Sequence, residues 1–275
     1  MSKALATTGT PKRSLATNVS TKIFLALHDN VFKLLEKFIA LCSLVGNPTF
    51  FDSKIFPWAA ELESNWTIIR EELDEILKWR DALPNFQDIS EVQRYVTQDD
   101  LWKTYFLFGY GFKAEKNCER CPRTTALLEK IPGMKTAFFS ILAPHKGIPP
   151  HYGPFKGIIR YHLGLIVPQP ASACRIRVGD DVRHWEEGKS LVFDDTFEHQ
   201  VWNDTDGVRV VLFLDVLRPM RLPATLLSKF IIRAISSTGF IQDAKIKHAQ
   251  WEKDFEERIK HDGTVAKSDL EQSEL

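Results

Sequence analysis

Cysteine is scarce in this chain: four in 275 residues, at positions 42, 118, 121 and 174. Four thiols cannot staple a fold of this size, so its core rests on apolar burial and the natural address is a reducing cytosol. Cys118 and Cys121 alone have C-x-x-C spacing, and a structural zinc site wants two further ligands beside them, so the pair reads as coincidental. Net charge is missing as well. Lys+Arg and Asp+Glu both number 36, which leaves no basic field to hold nucleic acid and no acidic tail. Long uncharged apolar runs are absent too, so no transmembrane span is expected. Lys3, Lys12 and Arg13 have no apolar stretch directly behind them, which argues against a secretory signal.

What is present is 44% hydrophobic and 26% charged, enough to build one large domain with a full core. Residues 1–20 are Ser-, Thr- and Ala-rich without periodicity and read as a disordered tail. A helical N-terminal flank is expected over 21–100. Its first helix, 23–42, repeats apolar residues at helical spacing (Leu27, Val31, Leu34, Leu35, Phe38, Ile39), and its second, 59–80, is built on Leu62, Trp66, Ile69, Leu73 and Ile76. The first is amphipathic: docking on the core is its plainer reading, and peripheral contact with a membrane surface the alternative.

From residue 101 to 219 the pattern changes. Thr136–Leu142, Gly157–Val167, Cys174–Val178, Val182–Trp185, Ser190–Phe193 and Val208–Val216 read as strands, with turns such as Gly179-Asp180-Asp181 between them. An aromatic strand is expected from Trp102. Short strands at this spacing predict a β-sandwich or barrel flanked by helices. Residues 220–275 return to helix, including an amphipathic stretch over 222–235, and end in a charged tail.

Chemistry concentrates in the strand region, which holds five of the eight histidines between residues 145 and 199. Two sit in loop-like contexts: His151 in Pro149-Pro150-His151-Tyr152-Gly153-Pro154, and His199 after Asp194-Asp195-Thr196-Phe197-Glu198. Such a pair, early and late in a small barrel, suits a mononuclear iron or zinc platform; it also suits two unrelated structural histidines. In the 157–167 strand, Arg160 and His162 share one face, while Ile159, Tyr161, Leu163 and Leu165 share the other. Arg209 likewise shares a face with Val211 and Phe213. An arginine aimed into an apolar layer needs an anion, either a bound carboxylate or an internal partner such as Asp215 or Glu198. Asp194 and Asp195 read as turn caps.

Taken in order, His151-Tyr152-Gly153-Pro154, Arg160-Tyr161-His162-Leu163-Gly164-Leu165, Trp185-Glu186-Glu187-Gly188-Lys189 and Asp194-Asp195-Thr196-Phe197-Glu198-His199-Gln200-Val201-Trp202, closing with Arg209 and Asp215-Val216, resemble the aspartyl/asparaginyl β-hydroxylases. The resemblance implies a double-stranded β-helix (jelly-roll, cupin-like) core and an iron(II)- and 2-oxoglutarate-dependent dioxygenase that uses O2 to hydroxylate an unactivated carbon. His151 and His199 fall on the iron-binding histidines. Arg209 falls on the arginine for the distal carboxylate of 2-oxoglutarate, Ser140 on a serine that assists it, and Arg160, His162 and Trp102 on residues lining the same site; Tyr161, between them, joins the set. The implied substrate is an aspartyl or asparaginyl residue in a peptide, or an amino acid, hydroxylated at its β-carbon; the alternative is a lipid acyl chain at a membrane surface, because the flanking helices and the 215–220 segment also resemble the lipid A hydroxylase branch. One position departs from the usual two-His-one-carboxylate pattern: Gly153 stands two residues after His151 and cannot ligate. That departure is the motive for a reading from another class, a non-catalytic β-barrel binding module.

Overall fold

A computed structural model describes residue 31 and residues 33–273; the tail expected over 1–20 and the start of the first helix lie outside the described residues. Two antiparallel sheets face each other. The larger has seven strands in the order β1 (Phe50–Phe51), β9 (Ser190–Phe193), β6 (Ile158–Ile166), β11 (Arg209–Leu217), β4 (Met134–Leu142), β2 (Trp102–Gly109) and β3 (Phe112–Lys113). The smaller has four, β5 (Gly147–His151), β10 (His199–Asn203), β7 (Cys174–Val178) and β8 (Asp181–His184). This is a jelly-roll core with flanking helices, the sandwich that the strand spacing predicts in the form that the family resemblance implies.

Two strands run through segments that read as loops. β5 carries Pro149 and Pro150, which have no N–H to give a ladder; the strand survives because it is the edge of its sheet and pairs only with β10. β10 begins at His199 itself, and its alternation buries His199, Val201 and Asn203.

Alternation gives the seven-stranded sheet two different faces. Outward point Phe139, Ile141, Tyr161, Leu163, Val210, Leu212 and Leu214, covered by α2 (Pro57–Ser64), α3 (Trp66–Leu77), α5 (Glu115–Arg120), α6 (Pro122–Leu128) and α8 (Gly239–Ser273). The helix expected over 59–80 is in fact two. Asn65 takes φ −108° and ψ 13°, and its Nδ2 donates to Glu61 O at 2.8 Å, so a side-chain amide competes with the helical ladder and ends α2 there. α3 buries Ile69, Leu73 and Ile76 on one stripe. Its buried Glu72 accepts from the backbone N–H groups of Arg123 (2.9 Å) and Thr124 (2.8 Å), which caps α6 and locks the two helices together. Cys118 and Cys121 are free thiols in this core, and burial pushes both thiols up, Cys121 far more.

Inward, toward the four-stranded sheet, point Trp102, Phe138, Leu142, Val211, Phe213 and Phe193, joined by Phe86 and Ile89 of the short helix α4 (Phe86–Ile89). A third, smaller cluster lies at one end, where a helix over 33–42 (α1) and α7 (Leu222–Ser236) meet around Ile39, Phe155, Met220 and Ala224.

Candidate active site

β5 and β10 place His199 directly opposite His151, with ring centroids 4.0 Å apart. Each ring leans back on its own chain: His151 Nδ1 lies 2.8 Å from Pro149 O, and His199 Nδ1 lies 3.1 Å from Phe197 O. A carbonyl can only accept, so Nδ1 carries the hydrogen in each neutral ring and Nε2 keeps its lone pair. Burial lowers both pKa values, His199 to about 3; Arg160 adds to the effect at both rings and His151 at His199, against the backbone hydrogen bonds, which raise them. The pair is therefore neutral at physiological pH and presents two nitrogen lone pairs that one divalent cation can share. Among the described residues no set of three His, Cys, Asp or Glu side chains is arranged to hold a metal.

The two neighbouring aspartates before His199 have separate tasks. Asp194 caps the turn, accepting from Thr196 N (3.1 Å) and Thr196 Oγ1 (2.5 Å), and its carboxylate is paired with Arg218 (2.5 Å) and Lys156 (2.8 Å). Those cations outweigh desolvation and hold its pKa down. Asp195 leaves the turn and enters the site. A Cβ built on Gly153 would stand 2.0 Å from Asp195 Oδ2, so the space of the missing carboxylate at position 153 is filled by the carboxylate of residue 195. Burial raises Asp195 to about 6 against the pull of Arg160, whose guanidinium lies 2.9 Å away without an aligned hydrogen bond. Arg160 Nε donates to Asp215 Oδ1 at 3.1 Å, Tyr110 Oη donates to Asp215 Oδ2 at 3.2 Å, and the guanidinium rests 4.5 Å over Phe213. The internal partner considered for Arg160 is thus present, and Asp195 is a second.

The neighbouring wall is polar and incomplete. Arg209 is 1% exposed, yet its Nε and one terminal nitrogen meet no acceptor, and burial lowers its pKa to about 10. Its guanidinium stacks 4.8 Å over Trp185, whose Nε1 is also buried without a partner. His162 has neither ring nitrogen bonded; it lies among Trp185, Phe193 and Phe213 at 6.0, 5.0 and 5.0 Å, and burial beside Arg209 and Arg160 drives its pKa well down. Trp102 Nε1 donates to Ser140 Oγ at 2.9 Å, which leaves the Ser140 hydroxyl hydrogen free for another acceptor. Each unmade buried hydrogen bond costs about 1–3 kcal/mol and a buried unpaired cation more. Donors collected on one wall without acceptors describe a cradle for an anion, and a guanidinium suits a planar carboxylate.

Six of the eight residues singled out in the sequence lie on this inward side of the seven-stranded sheet or on the strands facing it: His151, His199, Trp102, Ser140, His162 and Arg209. Arg160 joins them but is already paired. Tyr161 is not brought there. Strand alternation sends it to the outward face, where it meets Trp58 edge-on at 5.0 Å and accepts a hydrogen bond from Ser190 at 2.9 Å. Asp195 and Trp185 are the additions. Both lie in the motifs, but nothing local distinguishes Asp195 from the turn-capping Asp194, or assigns Trp185 to the ring that Arg209 covers.

The model of the family described as aspartyl/asparaginyl beta-hydroxylase matches residues 63–219. An ornithine lipid ester-linked acyl 2-hydroxylase of Rhizobium tropici is 47% identical over 211 residues, which cover 77% of this chain and 75% of its own length. The aspartyl/asparaginyl beta-hydroxylases of Mus musculus and Homo sapiens are 37% and 36% identical over 169 residues; this chain spans only 22% and 21% of their lengths, and the match covers 59% of this chain. Among solved structures, a prolyl hydroxylase of Trichoplax adhaerens in complex with a hypoxia inducible factor peptide fragment is similar at a TM-score of 0.45 and 14% identity, covering 64% of this chain and 83% of that one.

Proposed function

This chain belongs to the aspartyl/asparaginyl β-hydroxylase family, and from that premise we propose that it is an iron(II)- and 2-oxoglutarate-dependent dioxygenase that hydroxylates an unactivated carbon. The observation that carries the reading is the pairing of two free Nε2 lone pairs with a wall of buried, acceptor-less donors. His151 and His199 hold the metal. Arg209, with the Ser140 hydroxyl positioned by Trp102, would take the distal carboxylate of 2-oxoglutarate; His162, buried beside Arg209 with neither nitrogen bonded, would complete the cradle. When bound, iron, 2-oxoglutarate and O2 supply an oxidant strong enough to take hydrogen from an unactivated carbon.

The chain's own contribution is position and exclusion. Pro149 O and Phe197 O fix both imidazole tautomers, so neither ring can turn its N–H toward the metal. Arg160 opposes the burial that favours a protonated Asp195, so a carboxylate stands beside the histidine pair in the space next to Gly153, where it would help to neutralise a bound cation. Phe138, Phe193, Phe213 and Val211 surround the site with apolar side chains and strengthen each charge–charge contact within it.

Two substrate classes fit. The family description supports an aspartyl or asparaginyl β-carbon in a peptide or amino acid. A lipid acyl chain is favoured by a specific observation, the 47% identity with an acyl 2-hydroxylase that extends over three quarters of both chains. The first experiment is anaerobic titration with iron(II) and 2-oxoglutarate, then succinate release in air, for wild type and His199→Ala. Binding with slow release, lost in the variant, supports the dioxygenase; its absence in wild type overturns it. Mass spectrometry after incubation with aspartyl peptides and with an amino-acid-containing lipid then separates the substrates by which product gains one oxygen atom.

A further inference from the structure

A helix packed on a soluble core turns its large apolar residues inward and leaves small or polar ones outside. α7 does the reverse. Ala224, Ser228 and Ile232 are its buried stripe, while Leu222, Leu226 and Phe230, one turn apart, stand out in solvent at 70%, 58% and 70% exposure. α1 carries two apolar stripes. Leu35, Ile39 and Cys42 pack into the cluster shared with α7, and Leu34, Phe38 and Leu41 are exposed. The helices are joined end to end: Arg221 N donates to Cys42 O at 2.9 Å, and Leu44 N donates to Pro219 O at 3.0 Å. Both exposed stripes lie on the sides turned away from that common cluster.

The charge around these stripes has one sign. No Asp or Glu occurs from Val216 to Gln242, whereas Arg221, Lys229 and Arg233 are exposed there; α1 adds Lys33 and Lys37 against the single acid Glu36. In a chain whose net charge is zero, this face is a local excess of cations. Such a rim would repel itself across a symmetric dimer and complements a negatively charged surface.

We propose that α1 and α7 form a platform by which this protein docks on a lipid bilayer carrying anionic headgroups, the leucines and Phe230 entering the headgroup boundary and the lysines and arginines facing the phosphates. The platform adjoins the site. Phe155, four residues after His151, is buried in the shared cluster; Arg218 at the base of α7 donates from Nε to Lys156 O (2.7 Å) and from its backbone N to Gly157 O (2.9 Å). Docking therefore brings the His151 strand to within one short loop of the bilayer. The inference stands on surface chemistry and not on the substrate reading.

The test is flotation of the full chain with vesicles of phosphatidylcholine alone, and of two parts phosphatidylcholine to one part phosphatidylglycerol. Wild type should bind the anionic vesicles at least about tenfold more tightly, and salt should weaken the binding. Leu226→Glu/Phe230→Glu should lose at least about tenfold, and Lys229→Glu/Arg233→Glu should lose the salt-sensitive part. Uncoupled succinate release should be unchanged in both double variants, because none of the four residues touches the site. Wild-type protein that releases succinate but ignores both vesicles overturns the platform and leaves the dioxygenase intact. A dimer in light scattering that the Leu226→Glu/Phe230→Glu variant dissolves assigns the face to a second copy, and equally overturns it.

Discussion

On the outward face of the seven-stranded sheet, Phe139, Ile141, Leu163, Leu212 and Leu214 meet helices, and the Tyr161 hydroxyl finds Ser190. On the inward face the same strands, by the same alternation, carry His162 and Arg209 into a layer of Phe138, Phe193 and Phe213 and give them nothing to bind. These outward side chains are satisfied by contacts within the protein, so they are there for stability. The inward face holds unspent hydrogen bonds and an uncompensated cation, so it is less stable than it could be until a ligand arrives. One sheet thus separates folding from function by the parity of residue number.

The comparison breaks most sharply at His199. His199→Ala leaves one imidazole and should lower succinate release by at least about a thousandfold, with little change in melting temperature, read by product assay and calorimetry together. Next comes Arg209→Met against Leu212→Ala, three residues apart on one strand, on opposite faces and opposite in consequence. Replacing the buried cation should weaken 2-oxoglutarate binding by about a hundredfold or more while the ligand-free protein becomes no less stable; trimming Leu212 should cost about 2–5 kcal/mol of stability. Denaturant melts with and without 2-oxoglutarate distinguish them, and a ligand-free Arg209→Met protein much less stable than wild type would contradict the cradle.

A third effect is a matter of pH and concerns α8, whose Phe255 seals the outward core. Burial among Phe106, Phe112 and Trp251 pulls the pKa of His248 from 6.5 to about 4. Between those values the unfolded chain binds a proton that the folded one refuses. The stability is complete above about pH 6.5 and falls by as much as about 3 kcal/mol as the pH drops toward 4. His248→Leu should flatten that part of the melting-temperature profile. Gly153→Asp follows: it does not restore a ligand but collides with Asp195, and should reduce activity by about 10–100-fold, with Gly153→Asp/Asp195→Gly recovering part of the loss. The smallest effect is Tyr161→Phe, about 1 kcal/mol of stability for one hydrogen bond, with turnover within about twofold of wild type.

Sequence alone determined which residues share a face. Period-two alternation in β6 and β11 put Arg160 with His162 and Arg209 with Phe213, and helical spacing marked α1, α3 and α7, because both signals are local backbone geometry. What each face meets was decided only in three dimensions. Pro149 and Pro150 hid β5, since whether a proline can sit in a strand depends on whether the strand is an edge. His151 and His199 became a pair through cross-strand register over 48 residues of intervening chain. Adjacent Asp194 and Asp195 are locally alike, and only the packing of Arg218 and Lys156 on one side and Gly153 and Arg160 on the other gave one to a turn and the other to the site. In α7 the amphipathic stripe was legible, but that it turns outward was decided when the shared cluster took the opposite side, Ala224, Ser228 and Ile232. Local periodicity sorts side chains; long-range packing chooses their surroundings, and surroundings set the chemistry.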